Sequence, residues 1–403
     1  MKNLEKEKSV WVIGDIHGLY DPLKALIGEI RHKEYLRLIS LKSDMREKHE
    51  VVLVFLGDYI DGGPSSKECV DYLMDLEFSF VDFRKVFLTG NHEDMLQQFL
   101  RRDEENIADI INDYGVMFFN GNSGQTTVES FMPTPEIAAT MRASYIYEPT
   151  FEPEEFTLSK KYRHFFDNLK YSHKEILGNQ KILFSHSSFA YQSKEDRNIE
   201  EKKALKEKEK INKDRKNGIY KNTSYTYPTL EEQLSVKNYD EYHEMRANRP
   251  CITKKLNLWN RDFPENKFDD YIVIQGHTPT QLLRHYMEAI PKEYNIESCI
   301  PFFFFDSYTE KMKTEKHQIQ YDRISTSVTC DQVLDIKNKS FEDLISIDID
   351  TEAVLGKALT AMNITEYDEN GVDFIQIFLN RIHKKDCDVR FLRVNIPRKK
   401  DAM

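Results

Sequence analysis

Hydrophobic and polar positions fall in blocks along the first part of the chain. Val10 to Ile13 and Val51 to Leu56 are short apolar, β-branched runs that stop at Gly-Asp, and Val86 to Leu88 is a third that stops just before Gly90. Runs of this length, bounded by glycine, predict buried strands that end in functional loops. Between them, Pro22 to Ile30 and Ser65 to Leu76 carry apolar residues at helical spacing, the second opened by Pro64-Ser65-Ser66 as a helix start. The pattern therefore predicts strand, loop, helix, repeated. Later, Lys181 to Phe184 runs into Ser185-His186 and Tyr271 to Ile274 runs into Gly276-His277, so two further strands each deliver a histidine. Leu344 to Ile349 and Phe374 to Leu379 predict late strands, and a charged tail closes the chain.

The stretch between the two histidines changes character. Lys194 to Lys216 is dominated by Lys, Glu, Asp and Arg and reads as a solvated helix. After a break at Gly218 to Pro228, Leu230 to Met245 regains apolar periodicity, so residues 191–250 predict a charged helical hairpin inserted into the core. A disordered insert is the alternative reading. Tyr286 to Asn338 mixes aromatic and polar sequence and reads as an irregular insertion within 286–338. The core is thus divided into 1–190 and 251–398.

With 403 residues, 40% of them hydrophobic and 12% aromatic, the chain can bury a sizeable core, and at ~150 residues per domain it forms one large or two modest domains. The net charge of -11 and the pI near 5.7 argue against nucleic-acid binding as the main activity, which calls for a basic field. Five scattered cysteines, without CxxC spacing, predict reduced thiols in a cytoplasmic setting rather than a zinc ribbon or a disulfide framework. The lead MKNLEKEKSVWVIGD lacks the apolar region of a signal peptide. The longest apolar candidate, Ile300 to Phe305, falls far short of the ~18 residues of a membrane span.

The chemistry sits where the strands stop. Asp15 and His17 lie two apart in GDIHG, so in extended backbone both side chains point to one side and reach one metal ion. An isolated pair of this kind is more often an ordinary turn. Here, however, Asp58 and Asp61 follow the second strand and Asn91 and His92 the third, each beside a glycine that permits close backbone approach. His186 and His277 complete a set of carboxylate and imidazole donors for two ions, without any thiolate. Such donors suit Mn, Fe or Zn better than Ca. Two ions ~3.5–4 Å apart can hold both oxygens of a phosphate and turn a bridging water into hydroxide near neutral pH.

These blocks carry a resemblance. GDIHG at Gly14 to Gly18, GDYIDGG at Gly57 to Gly63 and GNHE at Gly90 to Glu93 resemble the signatures of the PPP family of metal-dependent phosphoprotein phosphatases. The flanking text is similar to its bacterial branch: NGNSGQTTVESF from Asn120, LWNRDF from Leu258, QGHTP from Gln275 and IDTEAVLGKALTAM from Ile349. The resemblance implies an α/β, calcineurin-like metallophosphoesterase fold, a central β-sandwich flanked by helices. It implies that Asp15, His17 and Asp58 hold one divalent ion, that Asp58 bridges, and that Asn91, His186 and His277 complete the second. Two divalent ions are expected, manganese first, with iron or zinc as alternatives. His92 becomes the general acid, and Asp61 orients it and raises its pKa. Arg261, in LWNRD, and Asn91 bind the substrate phosphate.

Two positions depart from the family pattern. Gly62 stands where the second block normally carries a phosphate-binding arginine, so Arg246, Arg249 or a lysine of the insertion is a candidate replacement. His186 is followed by Ser187 and Ser188 where glycine or alanine is usual. The expected activity is a protein phosphatase on phosphotyrosine or phosphoserine/threonine, with a protein partner docking at the charged hairpin. The alternatives are a hydrolase of dinucleoside polyphosphates or other small phosphoanhydrides, and a binding protein with a decayed site. The departures also resemble bacterial effector phosphatases secreted into a host cytoplasm without a cleavable leader.

Overall fold

The computed structural model describes residues 7–101, 124–131, 156–189, 230–247, 258, 270–278, 303–306, 332–335, 340–341, 344–351, 353, 358–365, 371–379 and 387–395. The three apolar runs of the N-terminal part form β1 (Glu7–Ile13), β2 (His49–Phe55) and β3 (Asp82–Phe87), each extended toward its N-terminus by mainly polar residues. They are parallel, with Val10 opposite Val52 and Val54 opposite Val86. Apolar side chains occupy both faces because both faces are covered. Trp11, Ile13, Leu53 and Phe55 join one core cluster, which also takes Leu23, Leu26, Ile27, Cys69 and Leu73. Val10, Val12, Val52 and Val54 join another, shared with Ile182, Phe184, Ile272, Ile274 and Ile347.

Helix α1 (Tyr20–Ser40) runs ten residues past the predicted Pro22 to Ile30. The apolar pattern stops early because the next inward position is Glu34, fully buried. Its carboxylate accepts hydrogen bonds from Ser9 Oγ (2.8 Å) and Trp11 Nε1 (2.7 Å) of β1 and pairs with Arg37 and His49, so the helix stays on the sheet through polar contacts. A short helix, α2 (Ser43–Arg46), leads into β2, and α3 (Ser66–Asp75) follows the second block as predicted. The third block, expected as a loop, instead opens α4 (Asn91–Leu100). Gly90 caps that helix and Glu93 turns back to accept the Gly90 N–H at 2.9 Å. Helices α5 (Gly124–Phe131) and α6 (Lys160–Asp167) come next.

Two sheets organise the rest. One has seven strands in the order β3-β2-β1-β10-β11-β12-β8, with β8 (Gln332–Asp335), β10 (Ala358–Thr365), β11 (Gly371–Leu379) and β12 (Cys387–Asn395). The other has five in the order β4-β5-β6-β9-β7, with β4 (His173–Leu177), β5 (Gln180–Phe184), β6 (Tyr271–Gln275), β7 (Phe303–Asp306) and β9 (Leu344–Asp348). The predicted late strands are β9 and part of β11. The charged tail is corrected: β12 lies within it, because Val389, Phe391 and Leu392 find apolar neighbours while Arg390 lies over the Phe378 ring at 4.5 Å and Arg393 pairs with Asp373 at 3.1 Å. Of the predicted hairpin, α7 (Leu230–Ser235) and α8 (Tyr239–Ala247) are described; Lys194 to Lys216 lies outside the described residues. The irregular 286–338 segment contributes β7 and β8, and the remainder lies outside them too. Among the described residues no helix is long and apolar enough to cross a membrane.

Candidate metal centre

Every expected ligand within the described residues stands at the carboxyl end of a strand. Asp15 and His17 follow β1, Asp58 follows β2, Asn91 follows β3 as the first residue of α4, His186 follows β5 and His277 follows β6. The loops are stitched together: the N–H groups of Ile16 and His17 both donate to the Asp58 carbonyl (3.0 and 2.8 Å), and Gly276 N–H donates to the His186 carbonyl (2.8 Å). His17, Asp58, Asp61 and His277 have φ of 49°, 51°, 70° and 68°. Left-handed backbone is costly for side chains of this size and persists where the surroundings over-determine it. A Cβ on Gly90 would collide with the Asp58 carboxylate, and one on Gly276 with that of Asp15.

The side chains converge in two groups that share one residue. His17, Asp58 and His92 form the first and Asp58, His186 and His277 the second, with the donor atoms of each group within 4.8 Å of one another. The two Asp58 oxygens face different imidazoles: Oδ2 lies 3.6 Å from His17 Nε2 and Oδ1 lies 3.5 Å from His186 Nε2. His17 Nδ1 is 3.2 Å from the Ile60 carbonyl and His186 Nδ1 is 2.9 Å from that of Leu56. An Nδ1–H donated to a carbonyl leaves the Nε2 lone pair for an ion. Asn91 Oδ1 reaches His186 Nε2 at 2.8 Å, and the His277 N–H donates to Asp15 Oδ2 at 3.1 Å. His17, Asp58, His186 and His277 are thus brought together with Asn91, and Asp15 joins them through the backbone of His277.

The electrostatics call for cations. Burial, followed by the charges of Asp350, Asp58 and Asp348, pushes the Asp15 carboxyl well above the usual range. Burial and then Glu93 do the same to Asp58. Burial and neighbouring His92 lower His17 to about 3. Crowded buried carboxylates among neutral imidazoles are costly alone and become favourable around a divalent ion. The donor set of carboxylate, amide and imidazole fits such ions.

Beside this centre, His92 Nδ1 lies 2.7 Å from Asp61 Oδ2, and His92 Nε2 lies 3.8 Å from Asp58 Oδ2. Burial works against the rise expected from Asp61 and takes the His92 pKa down to about 3. Asp61 is itself pushed up by burial, against a hydrogen bond from Thr127. Arg261 lies outside the described residues, although Leu258 of the same block is fully buried against Tyr171, Tyr242 and Met245. Arg246, the first candidate replacement, is held by α4. It is 3% exposed, with Nη1 3.5 Å from Asp94 Oδ2 on α4. Arg249 lies outside the described residues. Ser187 and Ser188 form their turn without left-handed backbone, while Ser185 Oγ donates to the Ser187 carbonyl at 2.6 Å.

Three acidic residues escaped the sequence reading. Glu93 accepts the N–H groups of Asp58 (2.8 Å), Tyr59 (2.8 Å) and Gly90 (2.9 Å), tying the second block to the third. Asp348 and Asp350 leave β9 buried, and their charges act on Asp15. The signal was present: Asp-Ile-Asp at a strand exit repeats the spacing of the first block.

Comparison with known proteins agrees with this geometry. The chain is 32% identical over 84 residues to the Caenorhabditis elegans protein F44B9.9, a stretch covering 21% of this chain and 31% of that one. The hypothetical protein PH1004 from Pyrococcus horikoshii OT3 aligns structurally with a TM-score of 0.24 and 14% identity, over 45% of this chain and 55% of that one, too slight a likeness to bear on the fold. Residues 8–302 match the calcineurin-like phosphoesterases, a span that holds every strand-exit ligand from Asp15 to His277. The chain belongs to the calcineurin-like phosphoesterase family.

Proposed function

We propose that this phosphoesterase is a dinuclear-metal protein phosphatase of the PPP type, bacterial in its flanking sequence, acting on phosphomonoesters of protein side chains. The observation that carries the reading is Asp58, whose two oxygens face two different histidine groups beside a histidine–aspartate pair. Asp15, His17 and Asp58 would hold one ion, and Asp58, Asn91, His186 and His277 the other. Manganese is the first choice, with iron or zinc as alternatives. When bound, two such ions polarise phosphate oxygens and supply a nucleophile from water near neutral pH.

The chain's own residues do the rest. His92, held at Nδ1 by Asp61, presents Nε2 to the leaving oxygen; in its doubly protonated form it gives up the Nε2 proton as the P–O bond breaks and is left as neutral imidazole. Arg261 and Asn91 orient the phosphate. With Gly62 in place of an arginine, the mouth of the site is less basic and less crowded, which favours the long phenyl phosphate of tyrosine. The two sheets are read as a sandwich flanked by helices. Residues 191–250 form an inserted hairpin between core segments 1–190 and 251–398, offered to a protein partner.

The test is a panel of phosphotyrosine, phosphothreonine and phosphoserine peptides and a dinucleoside polyphosphate, assayed with manganese beside His92→Asn. Peptide hydrolysis that collapses in the variant supports the reading. Faster turnover of the dinucleoside polyphosphate than of any peptide would overturn it in favour of phosphoanhydride hydrolysis.

A further inference from the structure

The NGNSGQTTVESF segment has no part in the chemistry described so far, yet its helix α5 sends one side chain to the His92–Asp61 pair. Thr127 is fully buried. Its Oγ1 accepts the Asp61 N–H at 2.9 Å, contacts Asp61 Oδ1 in a short hydrogen bond, and lies 3.1 Å from Ser66 Oγ. Ser66, at the start of α3, also accepts the Asp61 N–H, at 3.2 Å.

The donor count sets the direction of each bond. A threonine hydroxyl has one proton and two lone pairs. One lone pair of Thr127 takes the Asp61 N–H and the other takes the Ser66 hydroxyl proton, so its own proton goes to Asp61 Oδ1. That leaves Oδ2 to accept from His92 Nδ1 at 2.7 Å. The carboxylate is therefore gripped at both oxygens and at its own N–H, in a residue whose backbone already sits at φ 70°. A carboxylate that could rotate would drag the imidazole with it. With Asp61 fixed, the doubly protonated His92 gives its Nδ1–H to Oδ2 and keeps its Nε2–H, the proton to be delivered, turned toward the centre, where Asp58 Oδ2 lies 3.8 Å away.

We infer that Thr127, backed by Ser66, is a positioning residue for proton delivery to the leaving oxygen: it acts through Asp61 to aim His92 and does not touch substrate. The inference rests on the proposed role of His92 as general acid.

A general acid matters in proportion to how poor the leaving group is. Threonine alkoxide needs a proton as it departs, whereas p-nitrophenoxide does not. The experiment compares kcat and KM of the full chain, loaded with manganese, on a phosphothreonine peptide and on p-nitrophenyl phosphate. Thr127→Val keeps the shape and removes the hydroxyl. Because general acids contribute about 100- to 10,000-fold, mis-aiming one should lower kcat on the phosphothreonine peptide by about 10- to 100-fold. KM and turnover of p-nitrophenyl phosphate should stay within about threefold, and Thr127→Ser should recover most of the loss. Ser66→Ala, which spares the direct bond to the carboxylate, should show the same leaving-group dependence at smaller size. It decides the matter where Thr127→Val does not fold.

Equal losses on both substrates, or no loss on either in a folded variant, would overturn the inference. His92→Asn separates the two levels. If it shows the leaving-group dependence and the Thr127 and Ser66 variants do not, only the positioning role falls. If His92→Asn affects both substrates alike, the general-acid reading falls and the positioning role with it.

Discussion

Asp94, three residues beyond Asn91 on α4, is the buried anchor for α8. It is fully buried, and its oxygens are 2.7 Å from His243 Nε2, 2.7 Å from Gln98 Nε2 and 3.5 Å from Arg246 Nη1. Burial alone would raise its pKa, but His243 and then Arg246 outweigh that and hold it below the usual carboxylate range. Replacing Asp94 by Asn removes the charge that compensates a guanidinium with a side chain only 4% exposed. Breaking one side of a buried ion pair costs about 3–5 kcal/mol, a large part of the ~5–15 kcal/mol that holds a typical domain. Arg246→Met keeps most of the aliphatic stem and leaves Asp94 its bonds to His243 and Gln98, so it should cost less, about 1–2 kcal/mol. In the double variant the charges disappear together, and the loss should fall short of the sum by about 1–3 kcal/mol. Urea denaturation of the four proteins measures this cycle. Kinetics on a phosphomonoester, under conditions where all are folded, should leave kcat/KM of Arg246→Met within about threefold of the parent. A strictly additive cycle, or a KM raised about tenfold or more by Arg246→Met, would refute the structural role and return Arg246 to the substrate.

Further outcomes follow from the same contacts. Gly90→Ala drives a methyl into the Asp58 carboxylate, so the purified variant should retain at least one ion fewer per chain by elemental analysis; an unchanged content would contradict the bridging geometry. Glu93→Ala strands the N–H groups of Asp58, Tyr59 and Gly90 and should cost about 3 kcal/mol or more at ~1–3 kcal/mol per buried group, with a loss under about 1 kcal/mol counting against it. Glu175 offers a pH test. Burial would raise its carboxyl, but hydrogen bonds from His173, Lys8 and Arg84 bring it from 4.5 down to about 2. Because the folded value lies below the unfolded one, this contribution is complete above pH 4.5 and is lost as pH falls toward 2. Lys8 and Arg84 are partly exposed, which trims it to about 1–2 kcal/mol. The stability gap between the parent and Glu175→Gln should narrow between pH 6 and pH 3, and a constant gap would rule this out.

The strands that carry ligands were readable because they are covered on both faces. A segment buried twice must be apolar at every position, and Val10 to Ile13 or Val51 to Leu56 stop where the backbone meets the site. Helix α1 was read short because its inward face passes from Ile30 to Glu34, whose burial depends on Ser9, Trp11 and His49 and not on periodicity. Strand β10 was missed because buried Thr360, Asn363 and Thr365 interrupt its apolar run; Thr351 satisfies Thr360, Arg37 and Ser9 satisfy Asn363, and the Lys8 carbonyl takes the Thr365 hydroxyl, all only once the fold exists. The pairing of Arg246 with Asp94 was not legible, because nearness in sequence to LWNRD says nothing about the side chain's direction and Asp94 is far away in the chain.

Strand β1 lies between β2 and β10, and Asn363 donates to Ser9 across 354 residues of chain. A ribosome adds about 5–20 residues per second, so the first strand waits roughly 20 to 70 seconds for its second neighbour to be made. Through that interval one edge of β1 is bare, exposed to mispairing and in need of shelter. The loop that carries Asp15 and His17 hangs from this unfinished strand. Translation itself thus acts as a delay timer: a chain made only as far as α4 already contains both Asp58 and His92, but it still lacks β10, the strand that completes the sheet on which their loops are hung.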